Sequence, residues 1–374
     1  MEGLGGNLFE HIRIITDPRA EKNKRHPVEA IVFIAICAVI CGAESWVDLQ
    51  RYGELKKEWL AKHVNLSRGI PSHDTFGRFF ALLNPREFQE GFLGWIRHLQ
   101  DKTQGRIISL DGKSIRRSHD RSKGKEALHL VHAWASENHM LLGEIKTDAK
   151  SNEITAIPEL LKLLDLQGAI VTVDAMGTQK EIAEKIQDQK GDYVMALKGN
   201  HGVFHEEAKQ YWEDSQLRKE ADYYETAEKG HGRLEQRRHW STEDLSWFAD
   251  KAKWSGLKSF ACVESERTIQ GQTSIERRYY LSSLKADAQE LARSVRAHWS
   301  VENNLHWVLD VVFREDESRV RIGHAAENFA LLRRMALSLI KKDKTSKDSL
   351  KGKRFSAALS DAFLEKILFH NDYA

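Results

Sequence analysis

At Arg106 the hydrophobic rhythm of the chain changes, and from there to Asp214 it admits few folds. RIISLDGKSIR is an apolar run closing on Asp111 and Gly112, the pattern of a strand that delivers a carboxylate near its end. LHLVHAWA and MLLGEIKT flank the polar turn SENH and predict a hairpin. Ser151-Asn152 then precedes a predicted helix over Ile154 to Leu166, with Pro158 in its first turns where proline is tolerated. AIVTVDAMG is continuously apolar, as in a strand buried on both faces, and ends at Asp174. A helix (Gln179 to Gln189), a strand (Asp192 to Leu197) and a helix (Val203 to Asp214) are predicted next. A three-strand antiparallel meander followed by alternating helices and strands implies an α/β fold, a mixed sheet covered by helices.

If the strands ending in Asp111 and Asp174 are neighbours, both carboxylates leave the same sheet edge and repel unless a cation lies between them. Oxygen donors without cysteine point to magnesium or manganese. Either aspartate alone reads more readily as a turn residue. A third acid lies in RAHWSVENNLHWVLDVVFREDESRVR, residues 296–321, where Val301, Leu305, Val308 and Val312 recur at helical spacing. Glu302 borders that apolar stripe, with His298 and His306 four residues before and after it and Trp299 nearby. A solvated helix with ordinary charge pairs fits the same pattern. So does zinc held by His298, Glu302 and His306 on one helix face, although that leaves the two aspartates without a role.

The remaining segments bound the organisation. Residues 1–104 read as a helical domain: a helix from His26-Pro27 through Cys41, another over Glu44 to Lys62, and a third capped by Ser72 with Phe76, Phe79, Phe80 and Leu83 on its apolar face, ended by Asn84-Pro85. His73, Asp74, Thr75 and Arg78 at the start of that short helix could read DNA, or the segment is a plain bundle. Residues 105–214 form the first part of the α/β core. Residues 215–277, rich in charge and turn residues, read as a β-rich insertion whose basic patch is Arg233, Arg237, Arg238 and His239, near Trp240 and Trp247. That patch suits a phosphate backbone or a solvated ribbon face. The core resumes with the strand RRYYLSSL, over residues 278–342, and the lysine-rich KKDKTSKDSLKGKR begins a basic C-terminal segment, 343–374, expected to be a mobile connection. The net charge of +2 neither demands nor excludes nucleic acid. Cys37, Cys41 and Cys262 have no metal-ligand spacing, and the apolar run Ile31 to Ala43 is too short to span a bilayer, so a cytoplasmic protein is expected.

LDGKSIR, TVDAMGTQ, YVMALKGNHG, RRYYLSSL and RAHWSVENNLHWVLDVVFREDESR, in this order, resemble the insertion-sequence DDE transposases, most closely the H-repeat-associated transposase family, over residues 105 to 342. The resemblance implies a ribonuclease H-like core with Asp111, Asp174 and Glu302 as its acidic triad, and a β insertion before the glutamate. It implies Mg2+ or Mn2+ as cofactor, two ions in all, and double-stranded DNA as partner, cut and joined by phosphoryl transfer. A dimer on DNA is expected because two element ends must be brought together. Lys113, Lys198, Arg296 and His298 are expected at phosphates, and Trp299 either stacks on a displaced base or packs in the core. The broader group's tyrosine-arginine-glutamate-lysine signature is not kept, since Val295, His298, Glu302 and Leu309 stand at that spacing. A noncatalytic DNA-binding relic and a ribonuclease H-like nuclease that cuts without joining are the alternatives.

Overall fold

The computed structural model describes residues 6–98, 107–119, 124, 126–147, 153–230 and 233–369. The expected cap at Ser151-Asn152 lies outside them. The chain begins with α1 (Gly6–Arg13), α2 (Val28–Ile40), α3 (Trp46–Leu55), the single turn α4 (Lys57–Leu60), α5 (His73–Leu82) and α6 (Pro85–His98). α2 is apolar on every side, and Ala30 through Ile40 are all buried, as befits a helix surrounded by others. Ser45 and Ser72 cap α3 and α5 by accepting from the backbone N–H groups of Asp48 and Thr75. The single helix expected over residues 44–62 is interrupted at Lys56, where φ −106° and ψ 17° break the helical run. Pro85 does more than end α5. It opens α6, at a position where a missing N–H costs nothing.

Next come β1 (Ile107–Ile115), β2 (Leu128–Ala135), β3 (Met140–Thr147), α7 (Glu153–Leu161), β4 (Ile170–Val173), α8 (Lys180–Asp188), β5 (Asp192–Leu197), α9 (Val203–Glu213) and α10 (Ser215–Glu220). β6 (Asp222–Gly230), β7 (Arg233–Thr242), β8 (Ser259–Ile269) and β9 (Gln272–Ser282) lead to α11 (Ala288–Val301), which continues through a π-helical turn, Glu302–His306, into α12 (Trp307–Val311). Among the described residues nine strands make one sheet, ordered β3-β2-β1-β4-β5-β9-β8-β7-β6. β1 to β3 are an antiparallel meander, β4 and β5 run parallel to β1, and the other pairs are antiparallel. With helices on both faces this is a ribonuclease H-like α/β arrangement. The insertion strands extend the same sheet: Tyr279–Ser282 of β9 pairs with β5 on one side and with β8 on the other.

Strand alternation assigns the two faces. Ile108, Leu110, Val171 and Val173 point into a core with residues of α7, α8 and α9. Ile107, Ile170 and Val194 point the other way, against Leu291 and Val295 of α11. Asp111 shares the parity of Ile107 and so lies on the α11 face.

α13 (Ala325–Lys342), α14 (Leu350–Leu359) and α15 (Asp361–Phe369) complete the chain. The lysine-rich segment is therefore not a simple connection; α14 and α15 join the core around α2 and α13. Lys353 and Arg354 are buried, and Lys353 pairs with Asp343 at 2.9 Å. Arg354 donates to the carbonyls of Val39 (3.0 Å), Ile40 (3.3 Å) and Val312. One guanidinium thus satisfies the C-terminal end of α2 and the end of the helix that carries Glu302. No helix among the described residues is long and apolar enough to cross a membrane. Arg354→Met takes the guanidinium donor from the Ile40 and Val312 carbonyls and is expected to cost about 2–4 kcal/mol; urea denaturation of wild type and variant checks this, and an unchanged midpoint would remove the role assigned to Arg354.

Candidate active site

The parallel pairing of β1 with β4 sets the site. Leu110 is opposite Val173, so the next residues, Asp111 within β1 and Asp174 just past the end of β4, are neighbours. Asp111 is not at a strand end as expected: it is the fifth of nine residues in β1. The strand runs on because β2 keeps pairing with it to Ile115, whereas β4 stops at Val173, which leaves one flank of β1 open beside Asp111. Gly112 is likewise in the strand and not in a turn. A Cβ there would come within 2.8 Å of both the Glu153 carboxyl carbon and His129 Nε2, so only glycine fits over that buried pair, whose own contact is 2.7 Å.

The third acid arrives on α11. Leu291 and Val295 pack that helix on the sheet, Ser136 Oγ donates to the Ala297 carbonyl at 3.2 Å, and His298 Nδ1 meets Thr172 Oγ1 at 3.1 Å. Thr172 is itself 3.1 Å from Ser109, giving a short polar row beneath the helix. Val301, Leu305 and Val308 are buried and Val312 is partly so, which leaves exposed Glu302 at the first residue of the π turn. Single π turns inside α-helices are concentrated at functional sites because they re-aim side chains.

Burial is the largest influence on Asp111, followed by the negative charge of Asp174, with Glu153 and Glu302 adding to it; together they push its carboxyl up to about 7. Among the described residues, no lysine or arginine forms an ion pair with Asp111, Asp174 or Glu302. His306 Nδ1 is 3.5 Å from Asp111 Oδ2, but burial holds this imidazole down to about 3, so it is neutral. Asp111 Oδ1 accepts from the Gly112 N–H (2.9 Å) and Asp174 Oδ1 from those of Met176 (3.0 Å) and Gly177 (3.3 Å). Each aspartate keeps its second oxygen. Among the described residues no three His, Cys, Asp or Glu side chains are gathered into a closed ligand set. The donor chemistry nonetheless fits a hard divalent cation: oxygens, uncompensated negative charge and one carboxyl forced toward neutrality. The zinc alternative fares worse, because His298 is turned to Thr172 and His306 to Asp111.

The expected DNA contacts divide. Lys198 is exposed, with its ammonium 5.8 Å from the centre of the Trp299 ring. Trp299 is partly buried, and the Arg278 guanidinium lies 4.5 Å over the same ring. Arg296 is exposed and held by both Glu228 oxygens at 2.8 Å. Arg237 is paired with Glu235 (2.7 Å), and Arg238 with Glu264 (2.9 Å) and Glu266 (3.0 Å), so the insertion's basic patch is interleaved with acids. The side chain of Arg233 lies outside the described residues. Lys113 must be corrected: it is buried, 2.6 Å from Asp310 and 3.9 Å from Asp316, and is not available to a phosphate. Val295 and Leu309 are core residues, which explains why the broader signature's polar side chains are absent there. Arg278 was missed, though its parity with Tyr280, which faces α11, was readable in RRYYLSSL.

Residues 102–339 match the family model described as "Transposase DDE domain", and residues 9–96 match its associated domain. This chain belongs to the DDE-domain transposase family. It is 41% identical to "H repeat-associated putative transposase YhhI" of Escherichia coli K12, over 96% of this chain and 97% of that one. It is also 41% identical to "Putative transposase YncI" of Escherichia coli O157:H7, over 97% of this chain and 94% of the relative. A shorter relative, 41% identical over 19% of this chain and 84% of its own length, is named "Inactive transposase YbfQ". A piggyBac transposase synaptic complex with hairpin DNA aligns over 98% of this chain and 78% of that one at 13% identity, with a TM-score of 0.41. The fold assignment of this family member rests on its own sheet order.

Two outcomes follow from the site. Gly112→Ala should destabilise the protein by about 1–3 kcal/mol through forced displacement of Glu153 and His129, read by thermal unfolding; an unaltered Tm would show the space to be free. A carboxyl raised in the folded state contributes stability below its unfolded value, 3.8, and loses it as pH rises through about 7. In chelator, wild-type stability should therefore fall relative to Asp111→Asn across that interval, whereas parallel curves would mean that Asp111 is not under charge stress.

Proposed function

We propose that this chain is a DNA transposase that cleaves and joins strands by phosphoryl transfer at Asp111, Asp174 and Glu302. The observation that carries the reading is that a parallel strand pair and a separate helix bring three acids to one face of the sheet, with no lysine or arginine among the described residues paired to them, in a chain of the DDE family. Asp111, Asp174 and Glu302 would hold magnesium or manganese, two ions by the logic of the chemistry. When bound, such ions supply the positive charge that an anionic phosphodiester needs before an oxygen nucleophile can approach it. The chain's own groups do the rest. Exposed Lys198 and the Arg278-covered Trp299 flank the triad and suit a phosphate and an unstacked base. His298, pushed by burial down to about 4, is neutral and braces α11 against Thr172, and does not contact phosphate as a cation. Arg296, Arg237 and Arg238 would exchange carboxylate partners for phosphates when DNA arrives, so each contributes less than an unpaired arginine would, because an ion pair is given up for each phosphate gained. The reading implies double-stranded element ends and target as partners, a homodimer on DNA and a cytoplasmic place of action.

The test uses purified protein, a plasmid carrying the gene with its native flanks, and Mg2+ or Mn2+, with breaks mapped to the nucleotide. Cuts at the element boundaries with joined products, absent in Glu302→Gln while boundary binding persists, are the expected outcome. Binding without cuts in either protein would leave a DNA-binding relic, and nicks without joined products a nuclease.

A further inference from the structure

Behind Asp111, on the same face of the sheet, lies a buried polar chain that the triad does not explain. Arg334 of α13 is fully buried. Its guanidinium reaches Glu315 at 2.7 and 3.2 Å, Glu144 at 3.0 Å and His132 Nε2 at 2.9 Å. Glu315 belongs to the short 3-10 turn Glu315–Glu317 that follows the Glu302-bearing helix, Glu144 to β3 and His132 to β2. One side chain therefore ties the sheet to the segment that carries the third acid. A buried charge cluster of this kind is seldom retained for net stability, because well-packed apolar side chains do as well.

The cluster has a direction. Arginine only donates, so His132 Nε2 is the acceptor and the ring proton lies on Nδ1. His132 is the cross-strand partner of Asp111, its imidazole lies against the Asp111 backbone, and its buried Nδ1 has no hydrogen-bond partner. The His306 ring stands edge-on to it, centroids 6.0 Å apart, with a buried Nε2 that has no hydrogen-bond partner and with Nδ1 3.5 Å from Asp111 Oδ2. Two imidazoles, one oriented by Arg334, thus border the backbone and the carboxylate of the same aspartate.

Building on the metal-site reading above, we propose that Arg334, acting through His132 and His306, is a positioning residue that fixes the Asp111 carboxylate for a divalent ion. Groups that orient a ligand from behind typically contribute about 10–100-fold in ion affinity.

The experiment is Mn2+ binding to the DNA-free full chain, followed by electron paramagnetic resonance, with boundary-DNA affinity and Tm measured alongside. Asp111→Asn is the control, and its loss of Mn2+ binding establishes the site itself. Arg334→Met and His306→Phe are then expected to weaken Mn2+ binding roughly tenfold or more, with DNA affinity unchanged. His306→Phe keeps the ring volume and leaves the Arg334 cluster intact, so it decides the matter if Arg334→Met does not fold. Loss of binding in Asp111→Asn but wild-type Mn2+ affinity in the folded variants would overturn the positioning role. Unchanged Mn2+ binding in Asp111→Asn would instead overturn the metal-site reading on which the role rests.

Discussion

Everything in this site depends on a parallel register. Because Leu110 faces Val173, two aspartates are forced next to each other, and no lysine or arginine among the described residues pairs with either. Burial makes the proximity expensive: a pair of carboxylates in water would tolerate it, whereas here Asp111 is pushed up to about 7. That repulsion is the price of a site able to accept positive charge, and the surrounding architecture is what sustains it. Hydrogen bonding of β2 to the whole of β1 holds Asp111 in mid-strand, and the N–H groups of Met176 and Gly177 hold Asp174.

The third acid is held by different means. α11 is clamped to the sheet by apolar contacts and a polar row, then widens into a π turn at Glu302. Beyond that turn, Lys113 with Asp310 and Asp316, Arg334 with Glu315, and Arg354 with the Val312 carbonyl pin the following segment to strand, helix and C-terminal helix in turn. Buried pairs of this kind contribute little net stability but strongly disfavour other registers. The C-terminal helices, far from the triad in sequence, are thereby part of what places Glu302.

Much of this was legible in the residues, and the reasons are local. A continuous apolar run announced β4, Ser72 announced α5, and the stripe Val301, Leu305 and Val308 announced the helix beside Glu302. The order of short motifs gave the family, which the match over residues 102–339 establishes. What could not be read was set by partners distant in sequence. Asp111-Gly112 looks like a strand end until β2 is seen pairing past it, and the glycine answers to Glu153 and His129, not to a turn. Lys113 looked like a phosphate ligand because it lies beside Asp111 in the chain; the acids that hold it lie about two hundred residues on. The basic C-terminal segment looked solvated because a sequence does not show that Arg354 finds three carbonyls at two helix ends.

The most direct test of the whole account is a crystal of the protein grown or soaked in Mn2+, with data collected to locate manganese by its anomalous signal. Density is expected on the α11 face of the sheet, in contact with both Asp111 and Asp174 and within reach of Glu302. Manganese found only away from that pair, or none at a concentration that supports strand cleavage, would contradict it.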